Sequence, residues 1–433
     1  VTLTACAALL VGERIPLPYV DDEWLRGLMR VGSLRSLSPL ALGFVPFITA
    51  FVAVEFAAAV VPRWRCLRDG TTADRDRLVR AAWVLAFLLA AIHAWSMTGY
   101  LRSIRGGYGE PILPPELLPE LAVGASLTAG VALSGVLAGW ISSRGLGNGF
   151  AVLLTVQLLA SYSDEVLRIV LMPPGQWSDV SLLVVLALAL LVPLVAGRAA
   201  RSRDESAPRF PVPTCSLVVL QLSAGVFGVA YALVDWLAAD PDRWLRTWLP
   251  APRGYWISVG LVVVLAVPLA GVFFPRDVVA ATFRRAQGPG EDDAGGGVRR
   301  ALAAAHLRSL ALVTLLAMLP RIGGELGAAA VPSSGFVIAL AMAFAVAVDL
   351  AGEWRARALA GALVPVRPLH RVYAVEPVLA ALRAAGIPGH ARTHRFRALF
   401  HFFAPYAPIE ILVAPEGAQE ADAIAARVVG AAV

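Results

Sequence analysis

The sequence predicts an all-α polytopic membrane protein of ten transmembrane helices, followed by a small C-terminal α+β domain. Three observations carry that prediction. Of 433 residues, 58% are hydrophobic and only 16% charged, giving a mean hydropathy of +0.70, too apolar for a chain whose whole surface meets water. Apolar windows of about 20 residues, the length that crosses a bilayer, recur along most of the chain. After Arg367 they stop, and short strand-like and helix-like patterns alternate.

Charge and cysteine usage exclude several classes. Every basic residue is an arginine, and the formal net charge of +6 is accounted for by cytoplasmic loops rather than by nucleic-acid binding. Cys6, Cys66 and Cys215 lie far apart without metal-ligand spacing, so neither a disulfide framework, a zinc site nor any other cofactor is expected. His390, His394 and His401 have no carboxylate at ligand spacing and read as surface or core residues.

The chain opens at Val1 inside an apolar run, which we read as a first span with the residues before it missing. A cleaved signal peptide needs a basic start and a small-residue cleavage site, and this run ends in GERIPLP. The second span, 38 to 62, is the informative one. It holds Pro46, which frees backbone carbonyls inside a helix, and Glu55, an ionisable group at membrane depth. Both point to a helix that lines a cavity. Glu55 is expected to bond to Thr49 or His93, or to face water. A structural acid is favoured over a proton sensor.

Further spans are expected at 79 to 101, 120 to 142, 148 to 171, 180 to 197, 213 to 238, 256 to 275, 300 to 320 and 333 to 353. Arg63, Arg65, Arg68, Arg75 and Arg77 after span two, and Arg276, Arg284, Arg285, Arg299 and Arg300 after span eight, place those loops in the cytoplasm. The acidic, proline- and tryptophan-bearing segments YGEPILPPELLPE and VDWLAADPDRW suit the outer face. Two polar stretches, 198 to 210 and 284 to 297, read as flexible cytoplasmic linkers. Asn148, between Gly147 and Gly149, starts span five as a helix cap or as part of a gate. Asp349, near the cytoplasmic end of span ten, reads as solvated at the interface. In the terminal domain HRVYAV and APIEILV read as strands and EPVLAALRAAGIP as a helix closed by Gly386 and Pro388.

Five strings, in order, resemble the SecY protein-conducting channel family. GERIPLPYVDDEWL resembles the end of its first span, IPxPG, and LSPLALGFVPFITA its second, ALGIMPYISAS. SSRGLGNGFAVLL resembles RGIGNGxSxxI at the start of span five, and VFFPRDVVAATFRRAQ resembles FNPxExAxNLKKxG. FVIALAMAFAVAVDLAGEWRARAL is similar to span ten and its basic exit. The resemblance covers residues 1 to 366 and implies two inverted five-helix halves, 1 to 175 and 176 to 366, closing on an hourglass pore. It also implies a pore ring of Phe44, Ile48, Phe150, Leu154, Ser223 and Met342. Phe44 and Ile48, like Phe150 and Leu154, are four apart and share a helical face. The lateral gate it implies includes Pro46, Thr49, Glu55, His93 and Cys215, the last at the family's asparagine. Residues 370 to 433 resemble a short signal-transducing domain of the DUF2007 type, with ferredoxin-like strand and helix order.

The implied partners are SecE-like and SecG-like small membrane subunits, an unfolded polypeptide or signal peptide, and the lipid bilayer of the bacterial inner membrane, with the terminal domain cytoplasmic. Nucleic acid is not among them. Departures from the family bear on the motor. Only RGLMRVGSLRS is available for the plug, the loop between spans six and seven is about a dozen residues and too short for the usual hairpin, and GPGEDDAGGG replaces a motor-loop arginine motif. Docking of a motor ATPase or ribosome is therefore doubtful. The reading is a specialised accessory translocation channel. Its alternative is a non-conducting scaffold that signals through the terminal domain. An enzyme is not expected, since GxSxG, HExxH and paired intramembrane aspartates are absent.

Overall fold

The structure, a computed structural model, describes residues 1–20, 37–69, 72–104, 111–162, 210, 214–220, 222, 251–287, 294–325, 334–404 and 406–430. The chain divides into two compact units. One comprises Val1–Ser163, Phe403–Pro408 and Ala432–Val433, and the other Asp164–Phe402 and Ile409–Ala431. Among the described residues five helices are long and apolar enough to cross a membrane, or six if one bent pair counts as a single span. The span expected at 180 to 197 and most of that at 213 to 238 lie outside the described residues, as do the short plug segment and the linker up to 209.

In the first unit α1 is Thr2–Gly12, α2 Val45–Val60, α3 Pro62–Asp69, α4 Thr72–Ser103, α5 Leu117–Arg144 and α6 Gly149–Ser161. Pro46 does not break a span. It sits in the first turn of α2, where its missing N–H has no intrahelical partner to lose, and residues 38 to 44 form turns ahead of it. The helix is thus shorter than the expected span. At Val61 the chain bends by 111° into α3. Arg65 Nη2 donates to the Ala59 carbonyl 2.9 Å away, meeting one of the orphan acceptors at the end of α2.

Small residues let these helices approach closely. A Cβ at Gly130 on α5 would overlap the Pro39 carbonyl oxygen, and one at Gly135 would press on the Trp83 and Phe47 rings. Contacts through glycine are the usual means by which helices associate where lipid removes the hydrophobic drive. At the far end, Arg102 of α4 pairs with Glu120 of α5.

In the second unit α7 is Ala251–Phe273, α8 Arg276–Gln287, α9 Ala294–Glu325 and α10 Ser334–Ala360. The linker expected at 284 to 297 is shorter than its composition suggests, because α8 runs on to Gln287 and α9 starts at Ala294. The C-terminal elements are β1 Val364–Leu369, α11 Val375–Ala384, β2 His390–Arg392, α12 His394–Leu399, β3 Ile409–Val413 and α13 Ala418–Val429. The sheet order is β1-β3-β2 with both pairings antiparallel, so β1 and β2 run the same way with α11 between them.

The first strand is VPVRPL, whereas HRVYAV had been the expected one. Its two prolines hide it from a strand search, and they are tolerated because β1 is an edge strand whose register shifts between Pro365 and Pro368. Val372–Ala374 is instead a 3-10 turn. As expected, α11 is closed by Gly386, two residues past its last residue, which takes φ of +76° while the Ile387 N–H returns to the Leu382 carbonyl.

Candidate functional site

The face of α2 that meets α6 is built from aromatic rings. Phe44, Phe47 and Phe51 follow helical spacing and are 1%, 1% and 2% exposed. Phe44 meets Phe150 edge-on with ring centres 5.4 Å apart, and Phe51 lies 5.2 Å from Phe150. Phe47 turns the other way, against Trp83 of α4 at 4.9 Å. Such tilted and edge-on pairs suit the ring quadrupole and add to simple burial. Leu154 is buried one turn beyond Phe150, and Ile48 is half-buried one turn beyond Phe44. Of the proposed ring, four positions therefore share one helix pair. Met342 is buried on α10 in the second unit, and Ser223 lies outside the described residues.

The Gly147-Asn148-Gly149 motif sets the start of α6. Asn148 Oδ1 accepts from the Ala151 N–H at 3.2 Å, a helix N-cap. Gly147 takes φ of +77°, and a Cβ on Gly149 would overlap the Ala138 carbonyl oxygen. Between the two readings of this motif, the geometry is that of a cap with close packing. The Gly149 N–H is met by Ser142 Oγ at 2.8 Å, and Thr2 Oγ1 accepts from the Leu146 N–H at 2.8 Å.

Glu55 has a different partner from those expected. It pairs neither with Thr49 nor with His93; Arg68 Nε donates to its Oε1 at 2.6 Å, with side chains 1% and 8% exposed. The bend after α2 folds Arg68 back onto the helix, which no linear spacing reveals. Thr49 is exposed and donates to its own helix at the Val45 carbonyl, and His93 is half-buried on α4. Gln157 was also unforeseen. Its Oε1 accepts from the Phe44 N–H at 3.1 Å, holding the turn that carries Gly43 at φ +44°. A lone amide in the apolar run AVLLTVQLLA was the signal available.

In the second unit, Cys215 is buried at a turn, its N–H donating to Ser309 Oγ at 3.3 Å and its Sγ 3.1 Å from the same oxygen. It borders a cavity of about 590 Å³ with Phe274, Arg276 and His306. Of the arginines expected in cytoplasmic partner loops, Arg299 pairs with Asp277 at 2.9 Å on the surface. Arg285 donates to the Val429 carbonyl at 2.6 Å, capping α13, while Arg284 and Arg300 are exposed.

Asp349 is buried, not solvated at an interface. Its carboxylate accepts from the N–H groups of Arg395 and Phe396 at 3.0 and 3.1 Å and so caps α12 from another helix. One turn on, Glu353 is 0% exposed and takes a two-pronged contact from Arg392, with a further bond from Arg357 at 2.6 Å. Arg392 also reaches Glu410 at 2.8 Å.

Comparison with known proteins finds the same family over part of the chain. Residues 38–203 match the SecY family. The chain is 26% identical over 182 residues to a protein translocase subunit SecY of Streptomyces galbus, covering 37% of this chain and 42% of that one. Against the SecY subunit of Bacillus licheniformis it is 24% identical over 307 residues, covering 63% and 71%. The chain thus spans less than half the length of the first of these relatives. A solved SecY translocation-channel structure superposes with a TM-score of 0.50 at 12% identity, covering 81% of this chain and 90% of that one, which is a likeness of fold.

Proposed function

We propose that this chain, related to the SecY protein translocases, is a protein-conducting channel subunit that serves translocation or membrane insertion of a restricted set of polypeptides. One observation carries the reading. Phe44, the residue just before α2, meets Phe150 of α6 edge-on and donates its N–H to Gln157 of the same helix, and Ile48 and Leu154 lie one turn further along their own helices. Large apolar side chains in such a register can seal a narrow waist by packing and dewetting. The polypeptide's own energy source is external, since a passive pore has no catalytic group.

SecE-like and SecG-like small membrane subunits are the partners this reading requires, in a bacterial inner membrane with the α+β elements in the cytoplasm. We take those elements to be a reduced ferredoxin-like module. The test is conductance in planar bilayers after reconstitution with a SecE-like subunit. Replacing Ile48 by serine is expected to produce an ion leak that the parent chain lacks. A tight bilayer in both cases, with no small subunit retained on purification, overturns the reading.

A further inference from the structure

Residues 403–408, read FAPYAP, lie just before β3 in sequence yet belong to the first unit. The Ala407 N–H returns to the Phe403 carbonyl at 2.9 Å, and that of Tyr406 to the same oxygen at 3.1 Å, so a tight turn presents both rings together. Phe403 meets Phe150 edge-on at 5.3 Å and Phe51 at 6.4 Å. Tyr406 lies flat on Phe51, ring centres 3.5 Å apart and planes within 3°. Phe403, Ala404 and Ala407 are 2%, 7% and 0% exposed. The aromatic face formed by Phe51 and Phe150 is therefore covered by a segment of the chain itself.

Two features separate this contact from ordinary core packing. Tyr406 Oη and Glu55 Oε2 are both buried with no hydrogen-bond partner among the described residues. The Glu55 carboxylate acts electrostatically on the Tyr406 hydroxyl without the two being bonded. Buried polar groups left unpaired are rare in cores and mark contacts that are incompletely satisfied. The segment also ends in Pro408, which has no N–H to give to a sheet and so keeps it from extending β3 as a central strand. Its ring contacts with the unit are those of Phe403 and Tyr406.

We propose that residues 403–408 are a tethered, releasable occupant of the aromatic face of α2 and α6. An apolar peptide segment bearing an aromatic side chain would compete for the same face. The consequence for sealing rests on the channel reading above: with Phe403 in place, Phe150 is not free to meet a passing chain.

The test uses the full chain with Cys6, Cys66 and Cys215 changed to alanine and Ala407→Cys as reporter. Labelling by a membrane-impermeant maleimide is expected to be slow and to rise by at least about tenfold in Phe403→Ala/Tyr406→Ala, as local opening becomes favourable. Tyr406→Phe, which keeps the stacked ring, is expected to stay slow. A span-length polyleucine peptide carrying one phenylalanine is expected to speed labelling of the parent. Ala404→Cys serves as a second reporter should Ala407→Cys not fold. Labelling that is equally slow in every variant, with and without peptide, overturns the proposal. Planar-bilayer conductance of Phe403→Ala/Tyr406→Ala separates the two readings. Faster labelling without conductance leaves the occupant as proposed and counts against the pore.

Discussion

Glu55 and Arg68 are separated by 13 residues and a bend of 111°, yet they form a buried ion pair. Neither side chain has water to fall back on, so removing one partner leaves a buried charge. Arg68→Ala is expected to cost roughly 3–5 kcal/mol of stability, read as a fall in the midpoint of thermal aggregation in detergent. The double change Glu55→Gln/Arg68→Met, which removes both charges, is expected to recover most of that loss. Gly149→Val tests packing in the same unit. Its side chain would collide with the Ala138 carbonyl, and loss of the folded first unit by limited proteolysis is the expected result. At this scale the sequence was half legible. A glycine-flanked asparagine at the start of an apolar run announces a cap, because the cap is a local bond from residue to residue plus three. Arg68 and Gln157 were not foreseen as partners, because their bonds close across a bend and across a turn.

At the scale of elements, α10 does two jobs: it is apolar enough to cross a membrane, and its last turns anchor the sheet. Asp349 and Glu353 are one turn apart on one face, the first capping α12 and the second gripping Arg392 of β2. Glu353→Ala leaves two guanidinium groups without their buried acceptor. It is expected to loosen the α+β elements from α10 and to expose residues 361–363 to protease, an effect on the order of 3–5 kcal/mol. Gly352→Leu should do the same by steric means, since even a Cβ there would stand 2.8 Å from His390 Cε1. Acid should act through the imidazoles. Burial, opposed by Glu353 and aided by Arg392, holds His390 below its ordinary value, and burial with Arg395 and His390 pushes His394 down to about 3. A lowered folded value means the unfolded chain binds protons first. The stabilisation is then fully present above about pH 6.5 and is lost as pH falls toward the folded values. Protease resistance at 361–363 should therefore weaken over that interval, and His394→Gln should flatten the dependence. The order of these elements was visible in composition, apart from β1, whose prolines disguise an edge strand.

For the molecule as a whole, hydropathy announced a polytopic chain because the bilayer imposes one length on every span. It said less about spans that bend or stop early, as α2 does, since apolar character continues through turns 38 to 44 without helix. Motif order supplied the relationship to the SecY translocases that the comparisons bear out over residues 38–203. If the chain works within such an assembly, a SecE-like single-span protein should co-purify with it after mild detergent extraction. The bend between α2 and α3 has a mechanical consequence for any such assembly. With α2 upright in a bilayer, α3 runs across its axis like the arm of a crank, fastened by Arg65 and Arg68. Sliding α2 along its axis by one residue, about 1.5 Å, would drag that arm along the membrane normal. Turning α2 about its axis only sweeps the arm within the membrane plane. The bent arm therefore resists displacement of α2 along the membrane normal more than rotation about that normal.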